Sequence, residues 1–148
     1  MGSTYHSLSY HLVFATKYRR PLIDAAWRNR LHAYLGGCVK TFGAVPLAVG
    51  GVEDHIHILV VMRPSDRVCD LMREVKSRSS RWVHEEIGEA GFGWQDGYGA
   101  FSVSHYKVAV VRRYIERQEE HHRRKTSKDE YRSLLKRSGV AFEEKELE

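Results

Sequence analysis

His55-Ile56-His57-Ile58-Leu59-Val60-Val61-Met62 is the stretch on which the fold turns. Six of these eight residues are apolar and four of those are β-branched, between Asp54 and Pro64, so they read as a strand rather than a helix. Alternation along a strand places His55 and His57 on one face and Ile56 on the other, with the histidines about 6.5–7 Å apart along the chain. Residues 45–52 read as a second strand, turned back onto the first at Gly50-Gly51 or at Glu53-Asp54. Residues 8–14, Leu8-Ser9-Tyr10-His11-Leu12-Val13-Phe14, alternate and then become continuously apolar, which predicts another strand, followed by the basic loop Lys17-Tyr18-Arg19-Arg20-Pro21. Between these strands Asp24 suits an N-cap, and Trp27, Leu31, Tyr34, Leu35, Cys38 and Phe42 recur at helical spacing up to Gly43.

Downstream, Ser65 is the expected cap of a helix running to about Ile87, with the stripe Val68, Leu71, Met72, Val75, Trp82 and Val83. Residues 88–99 are glycine-rich and irregular, 101–104 form a short strand, a helix runs from Ser104 to about Arg123, and a last one covers 127–137. The order β-α-β-β-α-β-α predicts an α+β fold: a ferredoxin-like antiparallel sheet with helices on one face, plus an added C-terminal helix. Prolines 21, 46 and 64 fall between periodic segments, and no linker divides the 148 residues, so 1–148 reads as a single domain with 127–148 as its C-terminal helix and acidic tail.

The chain is 42% hydrophobic and 29% charged, enough apolar material for a core, and no apolar run approaches the roughly 20 residues of a membrane span. Met1-Gly2-Ser3-Thr4-Tyr5-His6 lacks the basic start and apolar stretch of a secretory signal. Cys38 and Cys69 are expected on apolar helix faces as reduced core thiols of a cytoplasmic protein. Net charge is +5, and since residues 138–148 hold four Glu against one Lys, the tail carries −3 and residues 1–137 carry +8. A basic body suits a polyanionic partner.

Two pairs of residues could carry chemistry. Same-face His55 and His57 can converge on one ion, although a His-x-His alone is more often one structural and one exposed histidine. Tyr114 and Gln118 are one helical turn apart, on the flank of a face defined by Val108, Val111 and Ile115, where an arbitrary tyrosine is more often a boundary residue with its hydroxyl in water. The pair His121-His122 diverges by about 100° on a helix and reads as helix surface.

Taken together the motifs resemble the small single-tyrosine HUH transposases of bacterial insertion sequences, including the REP-associated tyrosine transposases. The resemblance runs over nearly the whole chain, through Tyr10–Pro21, Asp54-His55-Ile56-His57-Ile58-Leu59, Leu71–Ser80, Trp94–Ser102 and Tyr114-Ile115-Glu116-Arg117-Gln118-Glu119-Glu120-His121-His122. It implies that His55 and His57 are metal ligands with Gln118 as the third, that Mg²⁺ or Mn²⁺ is the cofactor, and that Tyr114 is the catalytic nucleophile. It further implies metal-assisted cleavage and strand transfer of single-stranded DNA through a 5′-phosphotyrosine ester, at hairpin or palindromic ends. The protein would act as a homodimer, with a monomer as the alternative. Asp54 is either an orienting partner of an imidazole or a turn residue. Lys17, Tyr18, Arg19, Arg20, Lys76, Arg78 and Arg81 are candidate DNA-binding residues, with Trp94 and Tyr98 as further stacking surfaces. Two other functions stay open on the residues alone: a non-catalytic single-stranded nucleic-acid-binding module, and a metal-dependent nuclease that uses activated water.

Overall fold

A computed structural model describes residues 2–147; Met1, which opens the N-terminal stretch read above, and Glu148, which ends the acidic tail, lie outside the described residues. Four strands, β1 (Ser9–Ala15), β2 (Val45–Gly51), β3 (His55–Val61) and β4 (Gly99–Val103), form one antiparallel sheet in the order β2-β3-β1-β4. The β2–β3 turn is Val52–Asp54, the second of the two expected positions. Helices α1 (Ala25–Phe42) and α2 (Val68–Trp82) cross over between the strands, which completes the ferredoxin-like order.

Local chemistry accounts for most of the boundaries. The Asp24 carboxylate accepts from the backbone N–H of Ala26 at 2.8 Å and starts α1, and Gly43, at φ 107°, ends it in the left-handed region where a glycine carries no Cβ penalty. Ser65, the expected cap of α2, lies in a preceding turn instead. There the Asp66 carboxylate accepts from the backbone N–H of Arg63 at 2.9 Å and pairs with the Arg63 guanidinium, so the helix begins only at Val68. The two cysteines part company: Cys38 is buried and Cys69 is exposed, because α2 turns only its Leu71, Met72, Val75 and Ser79 positions fully inward.

Alternation along the strands sorts the sheet into two faces. Leu12, Phe14, Ile56, Ile58 and Val60 face α1 and α2 and build the main core with Leu31, Leu35, Leu71, Met72 and Val75. His11, Val13, His55, His57, Leu59, Phe101 and Val103 face the other way. The chain beyond β4 covers that second face. Helix α3 (Val108–Glu116) packs Ile115, Val108 and Val111 over Leu59 and Leu47, while α5 (Ser127–Arg137) packs Leu135, with Leu147, over Val13 and Phe101. A single helix from 104 to 123 is not formed. Arg117, at φ −108° and ψ 25°, breaks it, and a short helix α4 (Gln118–His121) continues in a new direction.

One position on β2 sets how closely α3 approaches. Gly50 pairs with His57 across the sheet, and a Cβ built on it would lie 2.3 Å from the Ile115 carbonyl oxygen. On the other side of the seam, Leu135→Ala should cost about 2–3 kcal/mol, the low end for a buried leucine because its cluster is small. Equilibrium urea unfolding would read this as a lower midpoint at constant slope.

Candidate active site

The seam between α3 and α5 lies over the histidines of the second sheet face. His55 is 1% exposed and His57 0%, so neither ring is the exposed half of an ordinary His-x-His. Each is oriented from behind. Asp54 Oδ1 lies 2.7 Å from His55 Nδ1, and Ser127 donates to the other Asp54 oxygen at 2.9 Å. His11 Nε2 lies 2.7 Å from His57 Nδ1, with the two rings stacked 4.9 Å apart. Both histidines therefore present Nε2 to the same place, as a metal-binding pair requires. Of the two roles weighed for Asp54, the geometry fits the orienting one.

Three helices close that place. On α3 the Tyr114 ring stands edge-on to His57 at 5.7 Å. Gln118, just beyond the break at Arg117, puts Oε1 3.1 Å from His55 Nε2. Helix α5 contributes Glu130, only 3% exposed, whose Oε1 lies 2.8 Å from His57 Nε2 and 3.2 Å from His55 Nε2. Its Oε2 accepts from the Tyr114 hydroxyl and, at 3.3 Å, from Gln118 Nε2. His122 Nε2 lies 3.2 Å from the same oxygen, so His122 belongs to the site and not to the helix surface expected of it. His121 stands edge-on to the Tyr114 ring at 5.1 Å. A surface position for His122 needs one straight helix through Arg117; beyond the break there, Gln118 instead reaches His55 on β3, and His122 reaches Glu130 on α5. His55, His122 and Glu130 each bring one donor atom within 4.8 Å of the others.

Burial and two carboxylates set the electrostatics of the cluster. Burial alone would push the His55 pKa down, but hydrogen bonds to the Asp54 and Glu130 carboxylates and their charges raise it to about 9. His57 falls to about 4, chiefly through burial, and His11 to about 3 for the same reason, so both are neutral. Against its own burial, Glu130 is held well below the carboxylate range by hydrogen bonds from His122, His55 and His57. Burial, and after it the Glu130 charge, lifts the Tyr114 phenol well above its ordinary value. Without positive charge near its oxygen the phenol is a poor nucleophile.

A family model described as IS200-like transposase matches residues 4–118. The chain belongs to this family. Among curated relatives, this IS200-like chain is 25% identical over 119 residues to the ISDra2 transposase TnpA of Deinococcus radiodurans, covering 76% of the chain and 85% of the relative. It is 28% identical over 124 residues to the transposase of insertion sequence IS200 from Salmonella typhimurium, covering 80% and 81%. A crystal structure of a candidate transposase from Deinococcus radiodurans superposes with TM-score 0.65 at 26% identity, over 80% of this chain and 96% of that one. The REP-associated tyrosine transposase bound to a REP hairpin shares the fold, with TM-score 0.60 at 13% identity, over 82% and 74%.

The basic residues of the IS200-like chain divide by what they already hold. Tyr18 is 67% exposed at φ 56°, and Lys17 and Arg20 lie 5.7 and 5.3 Å from its ring centre. Its neighbour Arg19, at φ 52°, turns inward instead. It donates to the Leu147 carbonyl at 2.8 Å and to Ser127 Oγ at 3.3 Å, and stacks on Tyr131 of α5. Lys76 donates to the carbonyls of Gln95 and Gly97 and so pins the glycine-rich segment. Arg78 pairs with Glu74 on the surface of α2, and Arg81 is exposed. Trp94 donates to Ser79 Oγ at 2.9 Å and packs on Phe14, which makes it part of the core, while Tyr98 is 38% exposed beside Lys76. Among the described residues no helix is long and apolar enough to cross a membrane.

Proposed function

We propose that the chain cleaves and rejoins single-stranded DNA at hairpin-bearing ends, with Tyr114 as the nucleophile. The observation that carries this reading is convergence: the Tyr114 hydroxyl and the Nε2 atoms of His55 and His57 all meet the one Glu130 carboxylate. The phenolic oxygen attacks the phosphorus of a phosphodiester, its proton leaves, and the 3′ oxygen departs as a free hydroxyl. The protein then carries the strand as a 5′-phosphotyrosine ester. One phosphodiester replaces another, so a second DNA 3′-OH can reverse the step without an energy source.

The donor set fits a divalent cation: two imidazole nitrogens, the Gln118 amide oxygen and nearby carboxylate oxygens, buried and fixed from behind. Oxygen donors beside nitrogen ones suit Mg²⁺ or Mn²⁺. When bound, such an ion offsets the charge that builds on the attacked phosphate. Everything else falls to the chain. Asp54 and His11 hold the rings in register, Ile115 seats the nucleophile helix on β2, and Tyr18 with Lys17 and Arg20 offers an exposed ring between two cations for an unpaired base and its phosphates. A homodimer, with a monomer as the alternative, is the assembly we propose for the active protein.

If a flexible strand must present its phosphate in line with Tyr114, a hairpin oligonucleotide with single-stranded flanks should be cut at least about tenfold faster than a perfect duplex of the same sequence, equivalent to about 1.4 kcal/mol of barrier. Gel-resolved cleavage in Mg²⁺ or Mn²⁺ measures this. Equal rates on the two would turn the reading towards a general nuclease.

A further inference from the structure

Glu130 lies beyond the residues 4–118 that match the family and beyond the motif ending at His122, yet it sits at the centre of the site. We propose that Glu130, carried in by α5, is itself a direct ligand of the divalent cation; this rests on the metal-dependent reading given above. Three observations support it.

The spacing is right. Around an ion with bonds of about 2.1 Å, neighbouring octahedral corners are about 3.0 Å apart. Glu130 Oε1 is 2.8 Å from His57 Nε2 and 3.2 Å from His55 Nε2, and Gln118 Oε1 is 3.1 Å from His55 Nε2.

The partners are also of the right kind. A buried carboxylate with a structural role is ordinarily paired with Arg or Lys. Among the described residues Glu130 meets neither; its contacts are imidazoles, an amide and a phenol. Imidazoles can give up a proton and turn a lone pair to a metal, so the cluster can exchange protons for an ion without moving its backbone.

Finally, a carboxylate lowers the buried charge. Two neutral imidazoles and an amide would leave a buried dication uncompensated, and one carboxylate removes half of that charge. On this account α5 is part of the metal site, and the clasp of Arg19 on Ser127 and Leu147 holds a ligand-bearing helix in place.

Titration of the full chain with Mn²⁺, following the loss of the free-ion paramagnetic resonance signal, tests this without DNA or turnover. Glu130→Gln keeps size and hydrogen-bonding capacity and should raise the dissociation constant at least about tenfold, as loss of a ligand or its close support does. Glu130→Asp keeps the charge on a shorter stem and should fall between the two, which keeps the test open should the Gln protein not fold. His55→Ala is the control for the site itself. If His55→Ala abolishes binding while Glu130→Gln and Glu130→Asp bind like the wild type, Glu130 is no ligand. Tighter binding by Glu130→Gln would mark the carboxylate as a plug and overturn the proposal. If His55→Ala binds as tightly as the wild type, the metal site is elsewhere, and the reading beneath the proposal fails with it.

Discussion

Incubated with a single-stranded, hairpin-bearing oligonucleotide and Mg²⁺ or Mn²⁺, the wild-type chain should give a protein–DNA species that survives denaturing electrophoresis, and Tyr114→Phe should give none. The substitution removes only the attacking oxygen. The ring keeps its edge-on contacts with His57 and His121, and the helix keeps Ile115 and Val111 on the sheet. The secondary structure should be unchanged by circular dichroism, and the lost hydrogen bond to the buried Glu130 carboxylate should lower stability by only about 1–3 kcal/mol, far too little to explain a missing adduct. Competing tyrosines are poorly placed: Tyr106 is 90% exposed before α3, and Tyr131 lies under Arg19 on α5. An adduct persisting in Tyr114→Phe, or mapped to another residue, would remove Tyr114 from its role. Cleavage by the wild type with no adduct at any time would instead indicate attack by water.

His57→Ala should abolish cleavage and leave single-stranded DNA binding within about threefold. The ring lies deep in the seam, in contact with His11, Glu130 and Tyr114, while affinity for DNA should come chiefly from phosphate contacts at exposed groups such as Lys17 and Arg20. Losing a metal ligand forfeits several kcal/mol of charge stabilisation, and at 1.4 kcal/mol per tenfold that is a fall of at least about 10³ in rate. Paired filter-binding and single-turnover assays would separate the two effects. Cleavage at the wild-type rate in the presence of Mg²⁺ would sink the metal assignment of the histidine pair.

The parts of the site governed by local pattern were legible in the sequence. Period-two alternation put His55 and His57 on one face with Ile56 in the core, and the Asp24 cap and the span of α5 followed from rules acting within a few residues. The parts set by docking were not. Nothing around Arg117 marks a break, since no Pro or Gly is there; the bend accompanies the seating of Ile115 on β2 and the turning of Gln118 into the site. Spacing along one straight helix puts His122 on the surface, and it is the break at Arg117 that turns it inward. Glu130 carries no local signal, because its place depends on where α5 settles 73 residues downstream of His57. His11 was within reach: it alternates with Leu12 on β1 just as His57 alternates with Ile58 on β3.

Gly50 contributes no functional group, yet it fixes a working distance. Its bare backbone lets the Ile115 carbonyl come where a methyl group would stand, opposite His57, and Ile115 adjoins Tyr114. An alanine there would push α3, which carries the proposed nucleophile Tyr114, outward by about 1 Å, and misplacement on that scale can cost about a hundredfold in rate. Stability has more slack, since the displaced helix can still cover Leu59. On the proposed reading, drift at position 50 would thus be filtered by catalysis before it was filtered by folding: the reach of Tyr114 would be metered by a residue with no side chain of its own.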